Sequence, residues 1–292
     1  MNPYLNELLG PGYQEKDIGF HDHIKQQLDN FANNMDIKIQ NELMRDIMVK
    51  YSELSNTLEE KNKMLKKYNS QLEEMVEEKI KDISDLQMST IYAFVKLSES
   101  RDDETGAHIE RTSGLCKLMA ELMKDNKMYQ YVVDDEFINN IHKASPLHDI
   151  GKVGIPDHIL LKAGKLTEEE FAIMKTHVNI GYDTLKEVQN RFPNNSFLSM
   201  GLDIISCHHE KWDGSGYPYG LSGTDIALSG RIMAIADVYD ALRSKRVYKD
   251  AFTHEVSCQI IKEKRGNHLD PYLVDIFIEN HRKVEELDYE LE

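Results

Sequence analysis

The sequence predicts an all-α protein. Apolar residues recur at three- and four-residue steps through most of the chain, no stretch shows the alternation of a strand, and Asp36 to Glu99 contains neither proline nor glycine. The expected architecture is a helical bundle preceded by a long coiled-coil helix. Three regions are expected: a segment of unknown role at 1–35, a helical stalk at 36–86 and a bundle domain at 87–292.

Residues 1–35 hold Pro3, Gly10-Pro11-Gly12 and Gly19, which interrupt regular structure, and His21 and His23 are read there as solvated side chains. In the stalk, Ile47, Tyr51, Leu54, Leu58, Leu65, Tyr68, Leu72 and Met75 follow alternating four-three steps, with Lys61 filling one seam position. The seam then shifts to Val76, Ile80 and Ile83, as at a coiled-coil discontinuity. So narrow a stripe cannot bury itself alone, which predicts a parallel homodimer. The bundle begins near Leu86. Further helices are expected after Ile109, over Glu136–Leu147, after the capping box Thr167-Glu168-Glu169-Glu170, over Phe197–His209, around Ile232–Leu242, and over Val256–Lys264 and Pro271–His281.

The chain has 292 residues, 51 Asp and Glu against 35 Lys and Arg, and a net charge of −16. That balance argues against a polymeric nucleic acid or an anionic membrane as partner. The longest apolar runs are too short to span a bilayer, and a cytoplasmic protein is expected. Cys116, Cys207 and Cys258 lack close pairing and read as small packed residues of a reducing compartment.

The chemistry centres on His148-Asp149-Ile150-Gly151-Lys152. An adjacent His and Asp offer an imidazole nitrogen and a carboxylate able to bridge two cations, and the lysine one turn on can face a phosphate oxygen. Glu104 and His108 stand four apart on one helix face, and His177, His208-His209 and Asp237 supply further donors. Imidazole and carboxylate suit iron, manganese, zinc or cobalt, and two or three such ions would clamp a phosphodiester and activate water. The other seven histidines, His142, His158, His254, His268 and His281 among them, are assigned ordinary surface or core roles.

The runs His148–Asp157, His208–Pro218 and Ala236–Leu242 carry a resemblance to the HD-GYP family of the HD metal-dependent phosphohydrolase superfamily, covering about residues 87–285. The resemblance implies an all-helical HD domain that hydrolyses cyclic di-GMP to the linear dinucleotide pGpG or to GMP. It implies metal ligation by His148, Asp149, His177, His208, His209 and Asp237, with Asp149 bridging. Glu104 and His108 match the extra ligands of trinuclear members, so two to three divalent ions, iron or manganese, are expected. Lys152 would meet the scissile phosphate, and Arg246 and Lys249 match ligand-contacting positions. Gly216-Tyr217-Pro218 is either a rigid turn or a surface for a purine or a protein partner. Arg243 and Val247 depart from the threonine and proline expected there. Two alternatives accompany this reading: a cyclic di-GMP receptor with weak turnover, and a phosphodiesterase for another cyclic dinucleotide such as cyclic GMP-AMP.

Overall fold

The computed structural model describes residues 18–33, 37–99, 106–244 and 251–291. Its elements are helices, and the described residues contain no strand beyond one isolated bridge between Arg265 and Leu269. The chain divides into two compact units, Met1–Lys81 and Asp82–Glu292. Among the described residues, no helix is long and apolar enough to cross a membrane.

The first unit holds α1, Ile18–Asn33, and most of α2, Ile37–Glu99. Helix α1 corrects the expectation of an irregular segment before residue 36. Gly19 lies in its first turn, where helix-breaking tendencies cost least, and His23 is exposed. The 63-residue α2 carries its heptad stripe in the open: Leu54 is 60%, Leu65 59% and Leu72 58% exposed in the single chain.

The second unit begins with the last turns of α2 and continues with α3 (Gly106–Lys124), α4 (Asp135–Ala144), α5 (Asp157–Leu160), α6 (Glu168–Met174) and α7 (Thr176–Arg191). After these come α8 (Ser196–Cys207), α9 (Leu228–Arg243), α10 (His254–Glu263), α11 (Pro271–Glu279) and α12 (His281–Leu291). Oxygen caps start several of them: Asp134 accepts from Phe137 N, Asn195 from Leu198 N and Thr253 from Val256 N. Thr167 and Glu170 form the expected capping box. The expected terminal helix over Pro271–His281 is instead two, because α11 stops at Glu279 and a new helix starts at His281.

Helix α9 runs through the centre, burying Ile232, Met233, Ile235 and Ala236 against Met119, Ile141, Ile204 and Phe277. Cys116 and Cys207 are buried within this packing and Cys258 is partly buried. A smaller cluster of Val95, Ile109, Leu147 and Ile205 packs the end of α2 onto the bundle. There Tyr92 Oη lies 2.9 Å from Ser113 Oγ, and Ser98 Oγ donates to the Ile150 carbonyl at 3.4 Å. The end of α2 therefore touches the turn that follows Asp149.

Candidate metal centre

Five elements deliver the polar side chains of the centre. Helix α4 does not continue to Leu147 as the sequence suggested. Pro146 stands in a 3₁₀ turn over Ser145–Leu147, followed by His148, Asp149 and a second 3₁₀ turn over Ile150–Gly154. The tighter winding turns Asp149 inward with Lys152. His177 comes from the first turn of α7, His208 and His209 follow α8, His108 stands in the first turn of α3 and Asp237 in the middle of α9. Two glycines set the spacing. A Cβ on Gly151 would lie 1.9 Å from the His177 carbonyl oxygen, and one on Gly230 would lie 2.3 Å from Cys207 Cβ. Bare backbone there lets the Asp149 turn meet α7 and lets α9 meet α8.

The donors fall into two sets: Asp149, His177, His208 and His209 in one, His108, His148 and Asp237 in the other. Within each set the potential ligand atoms lie within 4.8 Å of one another. Asp149 joins them. Its Oδ1 is 3.2 Å from His177 Nε2 and 3.6 Å from His208 Nε2, whereas Oδ2 is 3.3 Å from His148 Nε2. Lys152 Nζ lies 3.0 Å from Oδ2.

The histidine tautomers are fixed from behind. His148 Nδ1–H donates to the Ser145 carbonyl at 2.9 Å, His177 Nδ1–H to Met174 at 2.7 Å, and His208 Nδ1–H to Ile204 and Ile205 at 3.1 and 3.0 Å. Each bond places the proton on Nδ1 and leaves Nε2 with a bare lone pair. The buried Nε2 atoms of His148, His177 and His208, and Asp149 Oδ1, have no hydrogen-bond partner. Buried polar atoms are rarely left so, and convergent lone pairs around a carboxylate fit divalent cations, the oriented imidazole being the usual second layer of such sites. His108 is held likewise, its Nδ1 2.6 Å from Asp240 Oδ2, and Arg111 Nε donates to Asp240 Oδ1 at 2.5 Å.

The electrostatics favour positive charge. Although burial opposes it, Lys152 and His148 hold the Asp149 carboxyl well below its usual range. Burial likewise opposes positive charge at His148, but Asp149 and Asp237 outweigh it, so the carboxylates draw either a proton or a cation to Nε2, and a bound cation takes the proton's place. Burial lowers His208 and His209, keeping both neutral as ligation requires.

The Gly216-Tyr217-Pro218 loop covers one side. The Tyr217 ring stacks on His209, centroids 4.6 Å apart, and meets Phe171 edge-on at 6.0 Å. The fully buried Glu210 carboxylate accepts from the amides of Tyr219 and Leu221 at 2.7 and 3.1 Å and anchors the loop. Glu210 and Asp240 are residues that sequence reasoning missed as working parts. A signal existed for Asp240, which stands three residues after Asp237 on the same helix. None existed for Glu210, whose partners are main-chain amides. Glu104, Arg246 and Lys249 lie outside the described residues. Arg243, the departure from the family pattern, donates from Nε to Asp288 at 2.6 Å and from Nη1 to the Phe252 carbonyl at 2.8 Å, clamping α9 to α12.

Fold and site together define an all-helical protein with a histidine and aspartate centre suited to divalent metals. A family model described as HD domain matches residues 52–273. A cyclic di-GMP phosphodiesterase of Vibrio cholerae serotype O1 is 47% identical over 205 residues, 70% of this chain and 41% of that protein. A cyclic di-GMP phosphodiesterase of Thermotoga maritima is 40% identical over 222 residues, 76% of this chain and 57% of that protein. A 3′3′-cGAMP-specific phosphodiesterase, also of Vibrio cholerae serotype O1, is 42% identical over 199 residues, 68% of this chain and 36% of that protein. The chain belongs to the HD domain family, in its HD-GYP branch. It spans about half the length, or less, of the curated relatives it matches.

Proposed function

We propose that this protein is a metal-dependent phosphodiesterase that hydrolyses cyclic di-GMP. The observation that carries the reading is the convergence of tautomer-locked Nε2 atoms on the two oxygens of Asp149, beside Lys152. Divalent ions held there would supply Lewis acidity and a water of lowered pKa. In this reading His148, Asp149, His177, His208, His209 and Asp237 would hold the ions, Asp149 being shared between the two donor sets, and His108 and Glu104 would extend the set toward a third. Iron or manganese is the metal we assign, since imidazole with carboxylate and without thiolate suits both.

The chain's own groups do the rest. Lys152, anchored on Asp149 Oδ2, presents its ammonium where a bound phosphate needs compensation and where a leaving oxygen needs a proton. Tyr217, stacked on His209, fixes that imidazole and offers the free part of its ring to a base or to a protein partner. Arg246 and Lys249 are assigned to phosphate or guanine contacts. The exposed heptad stripe of α2 supports a parallel homodimer, and the contact of its last turn with Ile150 supports regulation of the centre through the stalk.

The similarity to a 3′3′-cGAMP-specific phosphodiesterase keeps cyclic GMP-AMP as a second substrate reading. The test is to incubate the metal-loaded chain with each cyclic dinucleotide separately and to resolve the products chromatographically. Linear pGpG or GMP from cyclic di-GMP is expected. Cleavage of cyclic GMP-AMP alone would overturn the substrate, and binding of cyclic di-GMP without cleavage would overturn the enzyme in favour of a receptor.

A further inference from the structure

Away from the Asp149 centre, a second group of donors gathers where α10 meets α12. His254 and Cys258 stand four apart on α10, so both side chains share one face, and Cys258 Sγ lies 3.3 Å from His254 Nε2. His281 opens α12, with its Nδ1 3.2 Å from the same His254 Nε2. The three candidate ligand atoms lie within 4.8 Å of one another. Glu285, four residues after His281 on α12, acts electrostatically on both His254 and Cys258.

From these residues we infer a second metal site, of thiolate and imidazole character, that takes a borderline cation of the zinc class. The edges fit. With bonds of about 2.05 Å to nitrogen and about 2.3 Å to sulfur, a tetrahedral ion sets N···N near about 3.3 Å and N···S near about 3.6 Å. The separations of 3.2 and 3.3 Å are close to both.

His254 is prepared for the role by its other nitrogen. Its Nδ1 lies 2.8 Å from Tyr239 Oη, and that hydroxyl donates onward to Asp288 Oδ2 at 3.5 Å. The Tyr239 contact occupies Nδ1 and leaves Nε2 as the nitrogen that faces Cys258 and His281. A relay from carboxylate through hydroxyl to imidazole is the kind of support that orients metal-bound histidines. Loading the site releases the Cys258 thiol proton, forms bonds to Sγ, His254 Nε2 and His281 Nδ1, and leaves the fourth position to Glu285 or water. The ion would tie α10 to α12 and would be chemically distinct from the Asp149 centre, whose donor sets contain no thiolate.

That difference gives the experiment its readout. The full chain is stripped with a chelator and titrated with Co²⁺, then challenged with Zn²⁺. A thiolate-to-cobalt charge-transfer band in the near ultraviolet is expected, with the intensity of one thiolate-bound Co²⁺ per chain once the Asp149 centre is also filled, and it should vanish on adding Zn²⁺ in excess of all sites. It should persist in Asp149→Ala, disappear in Cys258→Ser, and require about tenfold or more Co²⁺ in His281→Ala. Absence of the band from the native chain overturns the site. So does its survival in Cys258→Ser, or an unchanged titration in His281→Ala, a partly exposed position that does not hold the core.

Discussion

Replacing Gly151 by alanine tests the geometry of the Asp149 centre without touching a donor. The new Cβ would stand 1.9 Å from the His177 carbonyl oxygen and 2.6 Å from Gly181 N. Both are main-chain atoms of α7, so relief must come from moving the 3₁₀ turn off the helix by about 1 Å. Asp149 rides on that turn and His177 on the helix, so their 3.2 Å separation would grow to about 4.2 Å. A cation with bonds of about 2.0 to 2.2 Å joins ligand atoms that far apart only when they stand on opposite sides of it, which the other donors forbid. Overpacking should cost about 1 to 3 kcal/mol of stability, and the displaced ligands about 100-fold in hydrolysis of cyclic di-GMP. Elemental analysis after chelator dialysis, thermal unfolding and initial rates read the three effects. A Gly151→Ala protein that keeps native metal content and rate would refute the claim that this contact sets the site.

Further outcomes follow from individual side chains. Asp240→Asn weakens the support of His108 and Arg111 and should lower metal affinity about 10- to 100-fold, read by chelator competition. Lys152→Ala should retain the metals and lose about 100-fold in kcat; a native kcat would remove its catalytic assignment. Burial, reinforced by Lys264 and Lys211, depresses His268 to about 4 from an ordinary value of 6.5. A histidine so depressed contributes its full stability above 6.5 and loses it as pH falls toward 4. With a discount for the ring's partial exposure, His268→Gln should remove about 1 to 2 kcal/mol from the difference in unfolding free energy between pH 7 and pH 4.5. Inserting one to four residues near Lys79 should change the hydrolysis rate periodically with the helical register, and a flat response would remove the stalk from regulation.

Much of this molecule was legible in its sequence because its strongest signals are local. Three- and four-residue apolar steps depend only on the pitch of a helix, so the all-helical fold and the long α2 could be read directly. The capping box at Thr167 is confined to four residues and was equally plain. The helix α1 was less legible because Gly19 and the nearby glycines and prolines outweighed a short periodic run. The helix expected through Leu147 overran Pro146, and nothing local showed that 3₁₀ winding would turn Asp149 and Lys152 to the same side. Contacts between distant elements left least trace: Glu210 answers to amides nine and eleven residues away, and Arg243 to Asp288 across the bundle. The same blindness put His254, Cys258 and His281 among ordinary residues, since only the folding of α12 onto α10 brings them together.

The most direct test of the central claim follows metal and turnover together. The chain is purified without oxygen, stripped, and reconstituted stepwise with iron or manganese, with metal per chain and the rate of cyclic di-GMP hydrolysis measured at each step. The account predicts no hydrolysis in the stripped protein, a rate that rises with occupancy to two or three ions, and neither retention nor turnover in Asp149→Ala. Hydrolysis that persists without metal, or a fully loaded chain that leaves cyclic di-GMP intact, would contradict it.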